Sequence, residues 1–169
     1  MPTTDHQQLL TWLPRLRRYA RALAGNRDDA DDLVQDTLER ALDKWLFWHR
    51  ERDLRPWLFS IMHNLHVDGR RRDGRVAFCA DSDLPVPVQR ADQADALELR
   101  DLQHALMRLP LEQREVLLLV GLENLSYADV ALALGVPPGT VMSRLSRARG
   151  RLRAVLAGEL TPPLRMVKP

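Results

Sequence analysis

Residues 125–153 read LSYADVALALGVPPGTVMSRLSRARGRLR, two short helices meeting at a sharp angle and followed by a basic rail. Ser126 is a good N-cap, because its hydroxyl accepts a backbone N–H that the first turn leaves unpaired. Asp129, three residues on, suits the positive helix end. The first helix therefore starts at Tyr127. Val130 and Leu134 form an apolar i, i+4 pair, Ala131 admits a close neighbour, and Gly135 can take the left-handed conformation that ends the helix at Leu134. Pro137 and Pro138 forbid its continuation but suit a helix start, so a second helix follows, with Val141 and Leu145 again four apart.

Away from Val141 and Leu145 this second helix carries Ser143, Arg144, Ser146, Arg147 and Arg149, with Arg151 and Arg153 beyond and no acid from Pro137 to Arg153. An α-helix fits the major groove, where arginine forks bind guanine edges and neutralise phosphates. The pair reads as a DNA-binding helix-turn-helix, with Arg144 and Arg147 expected opposite Val141 and Leu145. An Arg run alone would be no more than a solvated face.

The rest of the chain is weighed against that stretch. Its 169 residues, 45% hydrophobic, suffice for one or two small cores. The net charge of +2 hides a segregation: Asp28 to Asp43 holds seven acids against Arg40, whereas Pro137 to Arg153 holds five arginines. Such polarity suggests two partners, one basic and one a polyanion. Cys79 is the only cysteine, so no internal disulfide forms and a reducing, intracellular setting is expected. The sequence has no window of ~20 apolar residues and no signal peptide, so membrane insertion is not expected and a cytoplasmic location is.

Apolar residues at three- and four-residue steps predict an amphipathic helix over 7–24, either whole or split at Pro14 into a leading turn and a longer helix, closed by Gly25-Asn26. Asp28 or Asp29 then caps a helix with Leu33, Val34, Thr37, Leu38, Ala41 and Trp45 on one side and Asp31, Asp32, Gln35, Asp36 and Glu39 on the other. Phosphate would repel those acids, so in a DNA-binding chain they are better suited to a basic protein surface. A loop follows, and then a helix over 57–72 entered through Pro56, with Asn64 and Arg70 to Arg72 away from its core face. Trp45, Trp48 and Trp57 either pack in the core or stack on unpaired bases. Residues 73–96, with Gly74, Pro85 and Pro87, have a linker's composition. Helices over 98–109 and 112–122 support the reading pair, and the tail from Gly158 is expected to fray.

Three segments together carry a family resemblance: DADDLVQDTLERAL (29–42), RPWLFSIMHNLHVDGRRR (55–72) and LPLEQREVLLLVGLENLSYADVALALGVPPGTVMSRLSRARGRLR (109–153). They resemble, in order, regions 2.2, 2.3 to 2.4 and 4 of the sigma-70 family, in its compact extracytoplasmic-function (ECF) group. The resemblance implies an all-α fold of two small domains, region 2 over 5–73 and region 4 over 97–157, joined by a flexible linker over 74–96. It implies a subunit that binds core RNA polymerase and promoter DNA. Asp32, Gln35 and Asp36 fall where the family contacts the polymerase clamp. Asn64 falls where relatives hold a flipped base of the minus-10 element, with Trp48, Trp57, Arg70 and Arg71 around it. Thr140, Ser143, Arg144, Arg147 and Arg149 fall on the helix that reads the minus-35 element. Met142 stands where a basic residue is common. Many relatives are held by an anti-sigma protein that clamps both domains.

Enzyme chemistry finds little support. His63 and His66 are i, i+3, but no further ligand stands at a recognisable spacing, so neither metal nor cofactor is expected. There is no Gly-rich phosphate loop and no G-x-S-x-G. The competing reading is a stand-alone helix-turn-helix regulator, which would need neither an acidic docking helix nor an Asn-bearing basic one.

Overall fold

The first helix, α1 (Thr3–Ala24), buries Leu9, Leu16, Tyr19, Ala20 and Leu23 along one stripe. Of the two alternatives at Pro14 it takes the unbroken one. Pro14 lies on the exposed side and the residue one turn before it, Leu10, is 59% exposed, so the carbonyl that the ring deprives of a partner can bond water. The computed structural model describes residues 3–48, 52–73 and 93–159, and among them all regular structure is helical.

Gly25, at φ 80°, ends α1, and α2 (Arg27–Asp43) starts at once. Its cap is Asn26, not Asp28 or Asp29 as expected. The Asn26 side-chain carbonyl accepts from the Asp29 N–H at 2.8 Å, and its side-chain amide donates to the Asp29 carboxylate at 2.6 Å. That reciprocal pair leaves Asp28 and Asp29 as first-turn acids. The segment expected as a loop begins with a 3-10 turn, Trp45–Phe47. Next, α3 (Leu54–Arg72) starts three residues before the expected 57, because Asp53 caps it, accepting from the Arg55 N–H at 3.0 Å, and Pro56 fits its first turn.

The second half holds α4 (Gln93–Met107), α5 (Leu111–Gly121), α6 (Tyr127–Leu134) and α7 (Pro138–Leu156). α4 begins inside the stretch read as linker, since Gln-Ala-Asp-Ala is good helix-forming sequence with an acid in the first turn. The rest of that linker, with Cys79, and the tail beyond 159 lie outside the described residues.

The halves share one buried core instead of keeping two. α1 packs on α2 and α2 on α3; α5 and α6 pack on α7; α3 packs against α6, and α1 against α4 and α5. Arg114 of α5 ties the seam. It is 3% exposed and donates to the carbonyls of Leu106 (2.9 Å), Met107 (3.2 Å) and Leu109 (3.0 Å) at the end of α4, and of Leu23 (2.7 Å) at the end of α1. Its guanidinium thus satisfies unpaired carbonyls at the negative ends of two helices at once.

Candidate nucleic-acid interface

The helix pair α6–α7 is built as its local chemistry requires. The Ser126 hydroxyl accepts from the Asp129 N–H at 3.1 Å, and Gly135 takes φ 65° at the end of α6. Val136 N–H donates to the Ala131 carbonyl at 3.1 Å, closing the turn. Pro138 opens α7, whose Val141, Leu145 and Ala148 are fully or almost fully buried. That anchoring turns Ser143, Ser146, Arg147 and Gly150 outward, with Arg149, Arg151 and Arg153 also exposed. Ser143 donates to the Thr140 carbonyl at 3.1 Å, and Thr140 is half-buried.

Arg144 departs from expectation. It lies on the flank of α7, its side chain 23% exposed, 3.8 Å from the Glu112 carboxylate of α5. Three residues after Val141 and four before Ala148, it is only about 60° and 40° around the helix from those buried positions. Arg147, two residues past Leu145, has the outward place instead.

On α2, Asp32, Gln35 and Asp36 are all exposed, while Leu33, Val34 and Thr37 are buried. Gln35 donates to Glu39 at 3.1 Å, whereas Asp32 and Asp36 have no hydrogen-bond or ion-pair partner among the described residues. Two carboxylates at i, i+4 repel one another, and a basic surface brought against them relieves that repulsion.

The tryptophans form a cluster. Trp45 is 3% exposed; its ring lies 5.1 Å from Trp48 and 6.1 Å from Trp57, and these two are 6.2 Å apart. Trp48 and Trp57 remain half-exposed at the edge. On α3, Asn64 is exposed two turns beyond Trp57 and so on the same side of the helix. Arg70 is half-buried and Arg71 exposed at the C-terminal end of α3, where positive charge offsets the helix dipole.

Sequence reading missed the polar groups of the seam. His63 Nδ1 of α3 lies 2.6 Å from Glu115 of α5, whose side chain is 2% exposed, and Arg18 of α1 lies 3.1 Å from the fully buried carboxylate of Glu123. Tyr19 is buried against Phe59, edge to face at 4.9 Å, and burial, with Glu115 and Glu123 nearby, raises its hydroxyl pKa well above the usual value. His66 is pushed down to about 4, first by burial and then by Arg70, Arg114 and His63. A signal existed: Glu115 stands between Arg114 and Val116 and four residues before Leu119, within the apolar run of α5, where an acid is buried only with a partner.

Among the described residues no group of three or more His, Cys, Asp or Glu is placed to hold a metal, and no helix is long and apolar enough to cross a membrane.

Comparison with known proteins finds two family models along the chain. Residues 9–63 match the family model for the Sigma2 domain of PhyR, and residues 93–152 that for Sigma-70, region 4. ECF RNA polymerase sigma factor EcfG of Rhodopseudomonas palustris is 40% identical, over 92% of this chain and 88% of that protein. SigM of Mycobacterium tuberculosis is 36% identical, over 84% of this chain and 71% of its own length. Among solved structures, the sigma factor RpoE of Bartonella quintana, in complex with the anti-sigma factor NepR, superposes with a TM-score of 0.80 at 37% identity, covering 92% of this chain and 98% of that one. CnrH, in complex with the cytosolic domain of CnrY, superposes with a TM-score of 0.68 at 28% identity, covering 92% of this chain and 89% of that one.

Proposed function

The chain belongs to the ECF sigma factors of RNA polymerase, and from that premise we propose how its surfaces divide the work of promoter recognition. The α1–α3 half, residues 5–73, docks the core enzyme through Asp32, Gln35 and Asp36 and opens the minus-10 element. The half over 97–157 reads the minus-35 element through α7. The observation that carries this reading is the contrast of exposure. The unpaired acids of α2, Asn64 of α3 and the acid-free outer face of α7 all meet solvent, while the residues between them form the core.

At the minus-10 element, Asn64 both donates to and accepts from the edge of an unpaired base. Trp48 and Trp57 offer ring edges beside it, and Arg70 and Arg71 hold neighbouring phosphates. At the minus-35 element, Arg147 and Ser143 face base edges, Thr140 and Arg144 flank them on one side, and Arg149 lies toward the other. Arg144 first has to leave Glu112, a weak obstacle, since that carboxylate is 70% exposed. The chain itself performs no catalysis and needs no cofactor. An anti-sigma protein is a further partner, by analogy with the complexes of RpoE and CnrH.

The docking assignment is tested with Asp32→Lys/Asp36→Lys. Both positions are exposed, so helical content measured by circular dichroism is expected to stay unchanged. Affinity for core polymerase should fall by at least a hundredfold, since like charges brought together cost several kcal/mol. Unchanged affinity would remove α2 from the docking surface.

A further inference from the structure

Met142 is an apolar side chain that the core of α7 does not use. Val141, Leu145 and Ala148 already fill the buried stripe, while Met142 is 53% exposed one position away. It does not stand alone on the surface. Ser146, Arg149 and Arg153 follow at i+4, i+7 and i+11, and Tyr127, the first residue of α6 and 37% exposed, closes the other side of a shallow groove over Leu145. Among the described residues the groove therefore has an apolar floor, two arginines without an ion-pair partner along its rim and no acid in its lining. A polyanion that also presents a small apolar group satisfies all three features. In the DNA major groove that group is the 5-methyl of thymine, the feature that an apolar side chain reads directly.

We propose that Met142 is a specificity-determining residue that reads one thymine of the upstream element through its 5-methyl group, with Arg149 and Arg153 holding the adjacent phosphates. The proposal rests on α7 being the reading helix and adds a base identity to it. The flexible thioether reaches the methyl without having to match a hydrogen-bonding pattern, so the contact rejects cytosine and uracil on the same ground. The position selects for a methyl group where a lysine or arginine would select for an acceptor.

Deoxyuridine removes only the methyl group, which makes the test specific. The upstream element is selected from random duplexes by the holoenzyme, and each of its thymines is replaced in turn by deoxyuridine, with holoenzyme affinity as the readout. At one position the wild type should lose about fourfold, the change corresponding to ~0.8 kcal/mol for one buried methyl at 1.36 kcal/mol per decade. Met142→Ala should bind the thymine duplex about that much more weakly and no longer distinguish thymine from deoxyuridine there. An element without a thymine under α7, equal affinity at every thymine, or discrimination surviving in Met142→Ala would overturn the proposal. Arg147→Ala separates this failure from a deeper one. If Arg147→Ala weakens binding while no thymine matters, only the role of Met142 falls; if Arg147→Ala changes nothing, or no element is selected at all, α7 is not the reading helix.

Discussion

His66 shows at the residue scale how the seam between the halves constrains chemistry. Its ring is largely buried and its Nε2 has no hydrogen-bond partner among the described residues. Arg70 on its own helix, Arg114 from α5 and His63 all oppose its protonation, and Asp29 of α2 opposes them only weakly. Folded, it titrates at about 4; unfolded, at 6.5. Between those values the unfolded chain binds more protons, so acid favours unfolding. The contribution from keeping His66 neutral is complete above pH 6.5 and is lost as the pH falls toward 4, by at most ~3 kcal/mol. Urea denaturation at several pH values should show this slope, and His66→Leu should flatten it. A His66→Leu protein with the wild-type slope would place the titration elsewhere. The i, i+4 step to Arg70 could be read from the sequence, but the burial of His66 and the approach of Arg114, nearly fifty residues away, could not.

At the scale of elements, both ends of α6 and the approximate start of α7 were readable, because their determinants are local. Ser126 caps, Gly135 takes the left-handed turn, and Pro138 starts the next helix. The start of α2 was less readable, since Asn26, Asp28 and Asp29 have equivalent capping chemistry and only the path of the chain out of Gly25 selects among them. Arg144 lies on the flank because it stands one turn from both Val141 and Ala148, whose burial depends on packing against α5 and α6. For α3, exposed Asn64 and the basic end have a separable role. Unpairing a base costs a few kcal/mol, which a melting protein must recover from that base and its backbone. Asn64→Ala is expected to keep core binding and closed-complex formation but to lose permanganate-detectable opening of linear duplex promoters, and a pre-opened bubble should restore much of the activity. Opening at the wild-type rate would reduce Asn64 to a surface amide.

At the scale of the whole molecule, two helical domains were legible but their mutual packing was not. Contacts such as His63 with Glu115 and Arg18 with Glu123 join residues far apart in sequence, and nothing local to either partner announces the other. That packing has a mechanical consequence. α6 touches both α3 and α7, so the two DNA-facing helices approach within ~20 Å at ordinary helix spacings. Promoter elements centred ~25 base pairs apart are ~85 Å distant along straight DNA at 3.4 Å per pair. With α3 and α7 assigned to the two elements as proposed above, the packed arrangement cannot engage both at once, and the halves are expected to separate along the seam when core polymerase and promoter bind. Spin labels at Glu39 and Arg151, with Cys79 replaced, should show one short distance in the free protein and a much longer one in the promoter complex. A transcribing complex that keeps the short distance would rule out the separation.

The central claim, that this chain directs RNA polymerase to promoters, is tested most directly by run-off transcription with purified core enzyme on fragments of the host genome. The account predicts discrete transcripts that require the protein, start downstream of a shared pair of sequence elements, and disappear with Asp32→Lys/Asp36→Lys. Transcription no different from that of core enzyme alone, by a protein that still binds the core, would contradict it.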